Sequence, residues 1–211
     1  MQNTSTNAEK KLKAKDFITL GIFTVLFIVI FFVCIMVMSL SPVTQPFGMA
    51  LTALLAGPVY MLMRAKVNKF GGILISGIIF AIVMFITGAG WTVALAVIIG
   101  TIIAELISRA GQYKKYWVSA TGYAVFMTAG AIGSYTPLLM MKEYYTSLSA
   151  ANSLDAAFMQ ELMDFVSGPV LVGAFAATIA CAFLGALLAR AMFKKHFVKA
   201  GIISEVAYGN R

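Results

Sequence analysis

Histidine occurs once in this 211-residue chain, at position 196, and only eight residues are Asp or Glu. A single imidazole excludes Ser-His nucleophile pairs, His-carboxylate metal sites and the HExxH zinc motif, all of which need further partners. His196 sits among Lys194, Lys195 and Lys199 and reads as a solvated tail residue. No GxxxxGKS or GxxxxGKT run occurs, so the chain carries no phosphate loop of its own. The two cysteines, Cys34 and Cys181, fall inside long apolar runs and act as small apolar side chains rather than as a disulfide framework. Charge is scarce too, at 11% of residues, and none falls at the middle of an apolar run. A proton- or sodium-coupled carrier needs such an ionisable group on its path, so its absence argues against a self-energised transporter. Asp16 and Glu105 lie at the ends of apolar runs, where they are expected to snorkel to the interface.

What the chain has instead is apolar length. Hydrophobic residues make up 61% of it, and the mean hydropathy is +0.91, so lipid is the expected solvent for most of the sequence. Six runs meet the roughly 17–25 residues needed to cross a hydrocarbon core of about 30 Å: 17–39, 47–63, 71–87, 91–107, 117–141 and 166–193. Backbone groups in lipid must be bonded within their own segment, and the alternation of a membrane barrel is missing, so these runs are expected to be helices. The fold expected is an all-α bundle of six transmembrane helices.

The basic residues orient it. Fifteen of the sixteen lie on one side of the expected spans: Lys10, Lys11, Lys13, Lys15, Arg64, Lys66, Lys69, Arg109, Lys114, Lys115, Arg190, Lys194, Lys195, Lys199 and Arg211; only Lys142 lies on the other. The positive-inside rule then places both termini in the cytoplasm. Anionic lipid and topogenesis account for the net charge of +8, and nucleic acid is not an expected partner. The first run is longer than a signal-peptide core and lacks a small-residue cleavage site, so it is expected to be retained. The chain divides into a basic segment 1–16, a membrane domain 17–193 and a cytoplasmic tail 194–211.

Outside, the only long connection is 142–165. It holds Glu143, Asp155, Glu161 and Asp164, and Leu154, Phe158, Leu162 and Phe165 fall on one stripe at helical spacing. A partly helical cap lying on the bundle is expected there. Pro58, Pro137 and Gly168-Pro169 are expected to bend or interrupt helices, two of these breaks flanking the cap. Around the mouth lie Trp91, Tyr135, Met140, Met141, Tyr144, Tyr145, Phe158, Met159 and Met163. They suit either an interfacial aromatic belt or the wall of a cavity whose flexible thioethers fit an apolar ligand. Glu143 and Asp164 could hold a polar part of that ligand or stand solvated. Copper(I) capture by the methionines lacks a tight MxxM repeat. In the last span Gly173, Ala177, Cys181, Gly185 and Ala189 recur every fourth residue; the stripe serves packing inside the bundle or docking of a partner helix.

The stretches KKLKAKDFITLGIF, GPVYMLMRAKVNKFGG and KKHFVKAGI resemble the S components of energy-coupling factor (ECF) transporters, in particular the MptD or Trep-Strep group. The resemblance runs from Lys10 to Ile203. It implies a six-helix, non-enzymatic receptor in the cell membrane that captures a scarce nutrient (a vitamin, a metal or an amphipathic compound) from outside. It also implies partners, namely a transmembrane coupling protein and two ATPases that supply the energy the chain itself cannot. The family's ligand site lies near the outer face, among the fourth to sixth helices and the loops above them. Its AxxxA docking pattern on the first helix is replaced here by Gly21 and Thr24, which leaves the last-span stripe as the docking candidate. The apolar, Met- and Tyr-rich mouth suits a large planar or amphipathic ligand, including a tetrapyrrole such as haem, better than a multiply charged one. No cofactor is expected. The alternative is a stand-alone facilitator or channel, which a lack of polar residues along the middle of the spans disfavours.

Overall fold

The computed structural model describes residues 11–113 and 115–193. Lys10, Lys114, Lys194, Lys195, His196, Lys199 and Arg211, with the first ten residues and the expected tail 194–211, lie outside the described residues. Among those described there are eight α-helices and no strand: α1 Ala14–Met38, α2 Gly48–Lys66, α3 Gly72–Ile86, α4 Trp91–Ala110, α5 Tyr116–Met140, α6 Lys142–Ala151, α7 Ala156–Phe165 and α8 Gly168–Met192. A 3-10 turn, Gln45–Phe47, leads into α2.

One helix covers each of the six apolar runs, and α6 and α7 make the cap. Four segments are long and apolar enough to cross a membrane: α1, α2 with its leading turn, α4 and α8. The bent pair α5 and α6, turned through 109°, counts as a fifth when taken as one span. The 15 residues of α3 rise only about 22 Å at 1.5 Å per residue, short of the bilayer core of about 30 Å. The chain is an integral membrane helical bundle.

α1 turns most of its surface outward. Ile18, Ile22, Val25, Val29, Val33 and Met36 are all exposed, an apolar face that lipid would cover. Inside, α2 packs chiefly on α8 and α4 on α5. The α2–α8 contact depends on two glycines: a Cβ at Gly57 would come within 2.5 Å of the Gly185 backbone, and one at Gly185 within 2.4 Å of the Ala53 carbonyl. Small residues allow backbones this near, which is how helices gain packing energy where water provides no driving force. Pro58 neither breaks nor ends α2, which is helical on both sides of it. The proline does remove the donor that would meet the Leu54 carbonyl, and Gly185 sits over that carbonyl. Gly168 and Pro169 likewise open α8 rather than interrupt it, as suits a proline in a first turn. Only Pro137 stands at a real break, three residues before α5 ends and the chain turns into α6.

The described basic residues other than Lys142 gather at one end of the bundle. There Asp16 pairs with Lys69 across 2.5 Å, Arg109 lies over Phe70, Arg64 over Tyr113, and Arg190 over Tyr116 and Trp117. Lys142 is at the opposite end, in the cap. Asp16 and Glu105 do not snorkel. Asp16 is buried and accepts from the Lys13 N–H at 2.7 Å. Glu105, 1% exposed, accepts from the backbone N–H groups of Ile73 and Leu74 at 2.9 and 3.2 Å and from the Tyr113 hydroxyl at 3.1 Å. A helix start offers unpaired donors and partial positive charge, so a buried carboxylate is better placed there than in a partial reach for water.

Candidate functional site

At the end away from the basic cluster, a cavity of about 440 Å³ opens between the bundle and the cap. Phe31, Phe32 and Ile35 of α1 form one wall, Ser134, Tyr135 and Leu138 of α5 another, and the loop from α3 to α4 a third. The cap closes it from above with Tyr145, Leu148, Met159 and Leu162. The volume lies within the roughly 300–1,000 Å³ usual for small-molecule sites.

A chain of aromatic contacts runs from the Phe31 wall into the bundle. Phe31 meets Phe80 edge-on at 5.0 Å between centroids, Phe80 meets Phe27 at 5.4 Å, and Phe126 joins both Phe27 and Tyr60, which in turn lies 4.6 Å from Tyr123. All six rings are buried. Of these six rings Phe31 alone lines the cavity, and Phe27, Tyr60, Phe80 and Phe126 border a separate small void of about 20 Å³.

The cap is fastened by a few polar contacts. The Tyr145 hydroxyl donates to the Ser134 carbonyl at 2.8 Å, and the Asn152 amide donates to the carbonyls of Gly88 at 3.2 Å and Leu148 at 2.9 Å. Gly88 has φ of +81°, a conformation that favours glycine, and a Cβ there would stand 2.3 Å from the side-chain Oδ1 of Asn152. Tyr144 packs edge-on against Trp91 at 6.3 Å. Asp155 starts α7, its carboxylate accepting from the Ala157 N–H at 2.9 Å, the usual role of Asp at a helix start.

The structure brings only part of the expected mouth together. Tyr135, Tyr145 and Met159 line the cavity; Trp91, Met140, Met141, Glu143, Tyr144, Phe158, Met163 and Asp164 do not. Met140 is 80% exposed, because α5 ends there and the turn into α6 points its side chain away from the bundle. Phe158 and Met163 pack on the core from the cap. Glu143 and Asp164 are exposed, and Asp164 accepts from Gln160 one turn away. No charged side chain lines the cavity, so neither acid is in place to hold a ligand within it. Phe31, Phe32, Gln45, Gly88 and Asn152 were not among the expected site residues. The only sequence signal for them was the Gly88–Gly90 turn, since Phe31 and Phe32 lie in a run that is apolar on every side.

The small-residue stripe of α8 divides. Gly185, in the α2–α8 packing described above, and Ala189 are both buried, so they are not available to a partner. A Cβ at Gly173 would meet nothing within 4 Å, and Ala177 and Cys181 are half-buried.

Among the described residues no group of three or more His, Cys, Asp or Glu could hold a metal ion. A family model described as a hypothetical bacterial integral membrane protein, Trep_Strep, matches residues 14–199. No curated protein and no solved structure matches the chain.

Proposed function

Because the chain belongs to the Trep_Strep family of bacterial integral membrane proteins, we propose that it is a substrate-binding S component of an ECF-type importer. In this reading it sits in the cell membrane with six spans, the short α3 among them, and with both termini in the cytoplasm. It captures a small amphipathic nutrient in the cavity under α6 and α7 and does no covalent chemistry. A transmembrane coupling protein and two ATPases supply the energy.

The observation that carries this reading is a ligand-sized cavity, uncharged in its lining and placed at the end opposite the basic residues. A receptor needs a pocket with one mouth, whereas a channel needs a continuous polar path. A vitamin-sized molecule suits the volume. A tetrapyrrole fits less well: the carboxylates of haem would find no cation in the wall, and the hydroxyls of Tyr135 and Tyr145 are already engaged with backbone carbonyls.

Two measurements test the proposal. Native mass spectrometry of the purified protein should reveal a co-purified small molecule, and proteoliposomes should accumulate it only when the ATPase module and ATP are both present. Uptake by the chain alone would establish the facilitator reading instead.

A further inference from the structure

α4 and α8 each pack on α5, and between them they leave an open groove of about 490 Å³ on the surface of the bundle. Ile99 and Ile103 of α4 form one bank, Ile179 and Phe183 of α8 the other, and Ala124 and Thr128 of α5 the floor. Small residues on the floor set it back between two banks of large ones. No charged residue lines the groove. Its two hydroxyls are engaged within α5, Thr121 donating to the Trp117 carbonyl at 3.0 Å and Thr128 to that of Ala124 at 2.7 Å. The groove therefore offers apolar contact and no free donor.

The two ends of the groove differ. Toward the basic end, Trp117 lies one turn before Thr121 on the same face of α5, and Arg190 lies two turns beyond Phe183 on the same face of α8. The Arg190 guanidinium stands 5.9 Å from the centroid of the Trp117 ring, so this pair joins the two helices where the groove ends. Trp117 is exposed and Arg190 half-buried. None of the described carboxylates pairs with Arg190; the two at this end are engaged elsewhere, Asp16 with Lys69 and Glu105 with the backbone of α3. At the other end Ile132 is the last α5 residue in the wall, about 22 Å from Trp117 at 1.5 Å per residue. An unpaired cation at one end of an apolar groove, shorter than the bilayer core of about 30 Å, matches a molecule with an anionic head and an apolar chain. A partner helix crossing the whole core would overrun it.

We propose that this groove seats one acyl chain of an anionic phospholipid whose phosphate pairs with Arg190, with Trp117 beside the headgroup. A guanidinium can meet two phosphate oxygens at once, and tryptophan favours the headgroup boundary. The site is separate from the cavity under the cap and does not depend on what that cavity binds.

Trp91→Phe leaves Trp117 as the only tryptophan, so its fluorescence reports the lipid beside it. The full chain with that substitution is placed in phosphatidylcholine vesicles containing rising fractions of dibrominated phosphatidylglycerol or dibrominated phosphatidylcholine as quencher. The phosphatidylglycerol should quench Trp117 with an apparent affinity at least five-fold above that of the phosphatidylcholine. Arg190→Gln should erase this preference, while Lys115→Gln, which removes an exposed cation close by, should keep it. Thr128→Phe fills the floor and should lower the phosphatidylglycerol affinity at least three-fold; Ile179→Phe, which narrows the groove from its exposed bank, gives the same reading where Thr128→Phe fails to fold. Equal quenching by both lipids overturns the proposal. Equal losses at Lys115 and Arg190 overturn it too, leaving only the general attraction of a basic surface for anionic lipid. A preference untouched by the groove variants overturns the seating of the chain. Trp117 shielded from both lipids in a cross-linkable dimer assigns the groove to a second copy instead.

Discussion

At the scale of single residues, the contact of Gly57 with Gly185 makes the strongest demand. The atoms a new Cβ would meet there are backbone, which cannot swing aside. Overpacking of this kind typically costs about 1–3 kcal/mol. Gly57→Ala and Gly185→Ala should each lower the midpoint of thermal unfolding in detergent, whereas Gly173→Ala, with open space around it, should leave it unchanged. Equal effects at all three positions would show that the α2–α8 contact is looser than described. The last-span stripe was legible because four-residue spacing of small side chains survives any context. Which of its members are covered was not legible, since that depends on Gly57, a residue of another helix. Glu105 gives a second case. Its position at the end of an apolar run was plain, but its role at the start of α3 requires the fold, with 31 and 32 residues separating it from its donors. Glu105→Ala would leave the buried Ile73 N–H and the part-buried Leu74 N–H without their acceptor and should destabilise by about 2 kcal/mol. Glu105→Gln keeps an acceptor and should cost less, as measured by unfolding in a denaturing detergent.

At the scale of elements, the cap is held by contacts that differ in kind from those of the bundle. α7 closes the cavity with Met159 and Leu162, while α6 is fixed by single hydrogen bonds from Tyr145 and Asn152. One such bond contributes about 1 kcal/mol, so Tyr145→Phe or Asn152→Ala should speed hydrogen exchange in 142–165 several-fold without altering exchange in α2 or α5. Uniform acceleration would mean instead that the cap and the bundle open together. The cap's helical character was readable because its residues mix polar and apolar side chains, and Leu162 at the centre of its stripe is buried as the spacing implies. The α1 wall was not readable. A helix apolar all round gives no sign of which face turns inward, and Phe31 and Phe32 differ from Val29 and Val33 only once neighbours are in place.

At the scale of the whole molecule, charge and cavity lie at opposite ends, and that relation predicts an orientation. The basic residues of the α2–α3 loop and of the ends of α1, α4 and α8 converge although they are distant in sequence. Loops rich in Lys and Arg stay in the cytoplasm because translocating them is unfavourable; the cap, with four acids and one lysine, carries no such barrier. The cavity mouth should therefore face outward. In a background with Cys34 and Cys181 replaced by Ala, Lys142→Cys should react with a membrane-impermeant maleimide on intact cells, while Lys66→Cys should react only after lysis. The reverse pattern would turn the cavity toward the cytoplasm, and a receptor for external nutrients would then be excluded on geometry alone. Labelling of both positions on intact cells would point to mixed insertion, which the grouping of the described basic residues at one end argues against.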